Sequence, residues 1–313
     1  MLSRVAERVY WQSRYLERAE NTARLLSVFS TLLMDLPPRT KLGWQSLLEI
    51  TGTDALFAKS ERQVIERNVM RFLLVEENSV SLLNMLAMAR ENARTTREIM
   101  PTEAFEEINN LYWFAREKLG KGVSRGPRHE LLEEIIASCQ HLAGMLSGTM
   151  SHNDAFNFVR LGQYLERADM TTRIVDVGSG KLLSSMELDS SANAEPFENI
   201  LWMNILRSIS AYQMYRQHVK NRVNAEDVVV YLLQDEEFPR SVAYCFDKME
   251  NVVKKLPNNE KAVAQISKTL RLANRTGIGK LLESGLFQYI DDMQVQFASV
   301  HQKIAETWFL PNK

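Results

Sequence analysis

Cysteine is nearly absent from this chain: 313 residues carry only Cys139 and Cys245, neither in a CxxC pair. That excludes a disulfide framework or a thiolate zinc site and predicts two buried, reduced thiols. Long uncharged apolar runs are missing too, so no membrane span is expected. The opening "MLSRVAERVYWQSRYLERAE" is charged every few residues and lacks the apolar stretch of a secretory signal, which predicts a mature, cytoplasmic sequence. Neither sign of charge is in excess: 38 basic against 39 acidic residues leave a formal net charge of -1. No field surrounds the molecule to gather nucleic acid, and nucleic-acid binding is not expected. The five histidines, His129, His141, His152, His218 and His301, show no metal-ligand spacing. No Gly-x-Ser-x-Gly elbow, cysteine-histidine pair or complete phosphate loop occurs; "GSGKLL" at Gly178 lacks the loop's first glycine and its Ser or Thr. No metal and no cofactor is expected.

Proline and glycine are sparse inside the long segments, which are filled by Leu, Ala, Met, Glu, Lys and Arg. Such composition predicts an all-α protein. Leu2, Val5, Val9, Leu16, Ala19, Ala23, Leu26 and Leu33 repeat at helical spacing and define a first helix that must stop before Pro37 and Pro38. Further helices are predicted over 43–50, 61–75, 79–99, 103–119 and 128–146. In the second half they are predicted over 152–177, 196–219, 225–233, 239–256, 260–273 and 281–309, with Pro239 at a first helical position. A loop is expected around "LGKGVSRGPRH". The polar stretch Gly178 to Pro196 is the best candidate for a mobile segment that folds over a site. "LRLANRTGIGKLL", Leu270 to Leu282, reads as a solvated turn, and His152 as a capping or surface residue.

One charged string is written twice. "YLERAENTAR" at Tyr15 to Arg24 returns as "YLERADMTTR" at Tyr164 to Arg173. "LGWQSLLEI" around Trp44 likewise resembles "ILWMNILRS" around Trp202, and "FLLVEEN" at Phe72 resembles "YLLQDEE" at Tyr231. Three matches in one order predict a large helical bundle built from two duplicated halves, approximately 1–125 and 126–313, related by a pseudo-twofold within one domain spanning 1–313. The helix after Arg128 is expected to join them.

On a helix wheel with Leu16 at zero, Ala19 and Ala23 share its stripe, Glu17 and Arg24 lie to one side, and Tyr15, Arg18 and Thr22 to the other. All but Ala23 recur, as Tyr164, Leu165, Glu166, Arg167, Ala168, Thr171 and Arg173. Retention around the whole wheel predicts two central helices contacted on nearly every face. Glu17 and Arg18 point about 100° apart and cannot pair with each other. The expected solution is crosswise, Glu17 to Arg167 and Glu166 to Arg18, while Glu20 with Arg24 and Asp169 with Arg173 sit at i,i+4 spacing. Two readings stand: a buried ion network that fixes the register of the halves, or a site for a zwitterionic amino acid or peptide terminus lined by Tyr15 and Tyr164. A carboxylate-bridged metal centre would need a Glu-x-x-His pattern, and neither copy has one.

The strings "MLSRVAERVYWQSRYLERAENTARLL", "LGWQSLLEITG", "FVRLGQYLERADMTTRIVDV" and "YLLQDEEFPRSV" together resemble the bacterial alpha-E domain family, all-helical proteins with a Glu-Arg motif. The resemblance maps that motif onto Glu17, Arg18, Glu166 and Arg167. Genes of the family commonly sit beside those of ATP-grasp and transglutaminase-like proteins, which implies a shared role in making, modifying or trimming a peptide. Three functions are therefore expected as alternatives. One is an accessory module that binds such a partner or its peptide substrate. The second is an enzyme of peptide-bond formation or hydrolysis, with Glu17 or Glu166 as general base and Arg18 or Arg167 holding carboxylate. The third is a purely structural interaction protein.

Overall fold

The computed structural model describes residues 1–35, 43–120, 125–179, 194–274, 277 and 285–310. Among them the chain is all-helical, with fourteen α-helices and no strand. In the first part these are α1 (Ser3–Asp35), α2 (Trp44–Ile50), α3 (Asp54–Ala58), α4 (Glu66–Leu74), α5 (Leu82–Thr96), α6 (Thr102–Gly120) and α7 (Arg125–Thr149). The second part holds α8 (Asp154–Ser179), α9 (Ala194–Ser208), α10 (Tyr212–His218), α11 (Ala225–Gln234), α12 (Val242–Val253), α13 (Glu260–Ala273) and α14 (Leu286–Ile304). No helix among the described residues is long and apolar enough to cross a membrane.

The two helices that carry the repeated string lie against each other at the centre. Around α1 pack α5 and α7, with α6 closing the ring between them; around α8 pack α12 and α14, with α13 between them. Leu16, Ala19, Ala23, Leu165 and Ala168 are buried, so the apolar stripe of each central helix is consumed by its neighbours. Cys139 and Cys245 are buried free thiols. Gly162 sets the closeness of the α1–α8 crossing, because a Cβ there would collide with the carbonyl oxygen of Tyr10. Ser13 holds the matching place in the first copy of the string.

Local chemistry explains where the helices start and where the expected ones break. Ser81 and Ser241 each accept a backbone N–H three residues on, from Asn84 at 3.3 Å and from Tyr244 at 3.1 Å, and so cap α5 and α12. Pro239 is accordingly not a first helical residue, as its sequence context suggested, but belongs to the turn before the Ser241 cap. The helix expected over 61–75 begins only at Glu66, because Glu61 adopts a positive φ of 55° after the short α3, which periodicity did not reveal. The helix expected over 196–219 is two, α9 and α10, divided where Ser210 takes the same left-handed conformation. Pro127 is inside the first turn of α7, where an absent N–H costs nothing. The chain after Ile304 widens into a π turn over Ala305–Phe309 that packs on α1. The segment proposed to fold over a site, Gly178 to Pro196, lies outside the described residues except for its helical ends, as does most of the turn from Leu270 to Leu282 after Asn274.

The crossing at Gly162 makes a direct prediction. Gly162→Ala forces Tyr10 and α1 to shift, and overpacking of this kind costs about 1–3 kcal/mol. A urea unfolding midpoint equal to that of the natural chain would show that the two helices do not depend on this contact.

Candidate functional site

The string that α1 and α8 share puts glutamate and arginine on the faces that the two helices turn toward one another. Glu17 meets Arg167, whose Nε donates to its Oε1 at 2.9 Å. Glu166 meets Arg18, which donates through Nε to Oε1 at 2.5 Å and through Nη2 to Oε2 at 2.9 Å. The pairing is thus crosswise between the helices. The i,i+4 pairs are also made, Arg24 to Glu20 at 2.7 Å and Arg173 to Asp169 at 2.8 Å.

Each crosswise pair has a third partner, drawn from a different place in the chain. Arg240, from the turn before α12, donates to Glu17 at 3.0 Å, to Glu20 at 2.7 Å and to the Asn21 side-chain oxygen at 2.7 Å. Its counterpart before α5 is Val80, which likewise precedes the capping serine. Glu166 instead receives Arg14, whose Nε donates to Oε2 at 2.9 Å. Arg14 stands where the second copy has Gln163. Its guanidinium lies 4.8 Å from the centre of the Trp11 ring and 5.7 Å from that of Tyr10.

The two centres differ in access. Around Glu17 the network is closed: the side chains of Glu17, Arg167 and Arg240 are 3%, 14% and 11% exposed, and the adjoining cavity holds ≈30 Å³. Around Glu166 the network opens onto a cleft of ≈150 Å³. Arg18, Arg173, Glu166 and Asp169 line its charged side, Thr22, Thr51 and Thr53 add hydroxyls, and Val80, Met85 and Met170 make an apolar wall. The Arg18 and Arg173 side chains are 28% and 32% exposed. Gly52, at φ 64° in the turn after α2, lets the Arg173 guanidinium lie against the backbone; any side chain there would strike it.

Burial alone would raise both glutamates, but the arginines outweigh it. Arg167 and Arg240 hold Glu17 below the usual carboxylate value, and Arg18 and Arg14 bring Glu166 down to about 2. Arg14 and Arg167 are buried too, and their carboxylates keep them fully charged. His301 goes the other way: burial, then the charge of Arg14, lower it to about 4, so it is neutral and can accept the Tyr10 hydroxyl at 2.9 Å.

Of the residues marked in the sequence, Arg18, Glu166 and Arg173 meet in the cleft, while Glu17, Arg167 and Arg24 form the closed network. Tyr15 and Tyr164 line neither cavity. Tyr15 packs on Trp11, with ring centres 5.6 Å apart, and the Tyr164 hydroxyl accepts from Arg160 while its ring faces Tyr244. His152 stacks on Phe156 and bonds the Ser147 carbonyl, an exposed structural role. Sequence reasoning missed Arg14, Arg240, Val80 and the Thr51-Gly52-Thr53 turn. The signal for Arg14 was a difference between the copies, not a likeness.

A family model described as a predicted alpha-helical domain with a conserved ER motif matches residues 1–309. The chain belongs to the Alpha-E family. Among the relatives of this Alpha-E chain are two mycobacterial proteins. Uncharacterized protein Rv2567 of Mycobacterium tuberculosis is 22% identical over 339 residues, and Uncharacterized protein Mb2597 of Mycobacterium bovis is 21% identical over 331. Each match covers 97% of this chain and 36% of the relative, so the chain spans little more than a third of their length. No solved structure matches it.

Two predictions follow from the electrostatics. Glu17→Gln leaves Arg167 and Arg240 buried without their carboxylate and should cost about 3–5 kcal/mol in chemical unfolding; Arg18→Met, at the rim of the open cleft, should cost clearly less. Equal losses would reject the contrast between the centres. The second concerns acid. The unfolded chain protonates His301 near 6.5 and the fold does not until about 4, so stability present above pH 6.5 is lost as the pH falls through that window. Glu166, at 4.5 unfolded and about 2 folded, adds a second loss between those values. Thermal unfolding of His301→Phe across this range should lack the upper loss and keep the lower one; an unchanged profile would refute the assignment.

Proposed function

We propose that this Alpha-E chain is a non-catalytic, cytoplasmic binding module whose open cleft takes an amino acid or a peptide terminus. The observation that carries this reading is the cleft itself: two partly exposed arginine side chains, two carboxylates, hydroxyls and an apolar wall converge on ≈150 Å³ of space. Guanidinium forks bind carboxylates with defined geometry. The enzyme reading is weaker, because a general base must take a proton near the working pH. Glu166 is held at about 2 with both oxygens bonded to guanidinium, and Glu17, held below the usual carboxylate value by Arg167 and Arg240, borders a cavity of only ≈30 Å³. For the Glu17 centre, burial and the double pairing of Glu17 with Arg167 and Arg240 favour a structural role that fixes the two helices in register.

In this proposal the module serves peptide synthesis, modification or tagging alongside an ATP-grasp ligase or a transglutaminase-like protease. Its support is the family resemblance, which names those proteins as genomic neighbours.

We further propose that the single domain arose by duplication and keeps a pseudo-twofold. What supports it is a shared order of packing: α1, α5, α6 and α7 form one ring and α8, α12, α13 and α14 another. On this reading α7 is the counterpart of α14 and closes the first half, so the seam falls near residue 150 and not near 125.

The test is thermal unfolding of the full chain against a panel of amino acids and short peptides, combined with co-purification of an ATP-grasp or transglutaminase-like partner. A ligand of the cleft should raise the midpoint of the natural chain, as any ligand of the folded state does, and should fail to raise that of Arg18→Met. A panel without effect would defeat the ligand reading, and failure to co-purify with or without ATP would defeat the partnership.

A further inference from the structure

The closed centre shows what the open cleft lacks. Glu17, Glu20 and Asn21 lie at i, i+3 and i+4 on one face of α1, and the Arg240 guanidinium is seated across them. The same face of α8 presents Glu166, Asp169 and Met170, and all three line the cleft. Val80, the counterpart of Arg240, lines it as well and reaches across with no charge. The cleft is therefore the place that an arginine of the chain fills in the other half. The partners of the acids differ accordingly: Glu20 accepts two guanidinium groups, Arg24 and Arg240, while Asp169 accepts one, Arg173, through Oδ2.

Charge decides what can enter. Among the described residues, Arg24, Arg167 and Arg240 surround Glu17 and Glu20, and Arg14, Arg18 and Arg173 surround Glu166 and Asp169. The open cleft thus already has, without an occupant, the balance that the closed centre reaches only with Arg240 in place. A bare cation beside Asp169 would add uncompensated charge in a partly buried site, where such charge is costly. A cation that brings its own carboxylate adds none.

We propose that the open cleft binds a free α-amino acid with an aliphatic side chain. Its ammonium lies on Asp169 in the place that Arg240 takes in the other half, its carboxylate on Arg18 and Arg173, and its side chain against Val80, Met85 and Met170. The inference rests on the binding-module reading and sharpens it: a peptide terminus presents one of the two charges, whereas only the free amino acid presents both within a few bonds. Val80 becomes the residue that leaves the site open.

Isothermal titration of the full chain with L-leucine, N-acetyl-L-leucine and L-leucinamide tests this. Leucine should bind, with the acetylated and amidated forms at least ten-fold weaker. Asp169→Asn should weaken leucine ten-fold or more and level it with N-acetyl-leucine. Val80→Arg should fill the cleft from within and abolish leucine binding while the unfolding midpoint is held. N-acetyl-leucine binding as tightly as leucine, or leucine binding unchanged in Asp169→Asn, would overturn the free-amino-acid assignment and leave the peptide-terminus reading standing; leucine binding unchanged in Val80→Arg would place it outside the cleft and overturn both. No binding by any of the three would overturn both.

Discussion

Everything in this molecule turns on the exchange of charges between α1 and α8. Two glutamates and two arginines are carried to the centre of a helical bundle, where each would cost several kcal/mol if left without a partner. The cost is met because each helix supplies the other's counter-charge, at 2.9 Å for Glu17 with Arg167 and 2.5 Å for Glu166 with Arg18. That requirement fixes the register of the two helices. A shift by one residue would turn each charge about 100° away from its partner and break the exchange. The close crossing at Gly162 and the small buried residues Ala19 and Ala168 allow the helices to come near enough for the exchange.

The same constraint permits one centre to be filled and the other to keep a cleft. Each glutamate needs two guanidinium partners, but the chain provides the second from different places. Arg240 approaches Glu17 from outside the helix pair and fills the space beside it. Arg14 reaches Glu166 along its own flank, one turn before Arg18, and leaves that space unfilled. Electrostatic satisfaction is alike in the two centres; only the volume left over differs. A binding site can arise in this way without any loss of the network that holds the helices.

Much of this was legible in the sequence. The helical composition, the central position of the repeated helices and the need for partners outside each helix all followed from periodicity and from the angle between Glu17 and Arg18. The breaks at Glu61 and Ser210 did not, because left-handed conformations at residues other than glycine leave no compositional mark. Tyr15 and Tyr164 were placed beside the motif by sequence adjacency. Their rings are instead engaged by Trp11 and by Arg160 with Tyr244, contacts that adjacency could not rank.

By itself the sequence determined which groups had to meet: two Glu-Arg strings on two central helices, at spacings that forbid pairing within either one. The tertiary structure decided which of the two meetings stays open. That outcome rests on Val80 and Arg240, residues far from the motif in the chain that become its neighbours only when α5 and α12 pack against the central helices. Helix periodicity is a local property, dictated by bonds and side chains a few residues apart. The space left beside a buried charge is a sum over distant elements, and no local pattern encodes it.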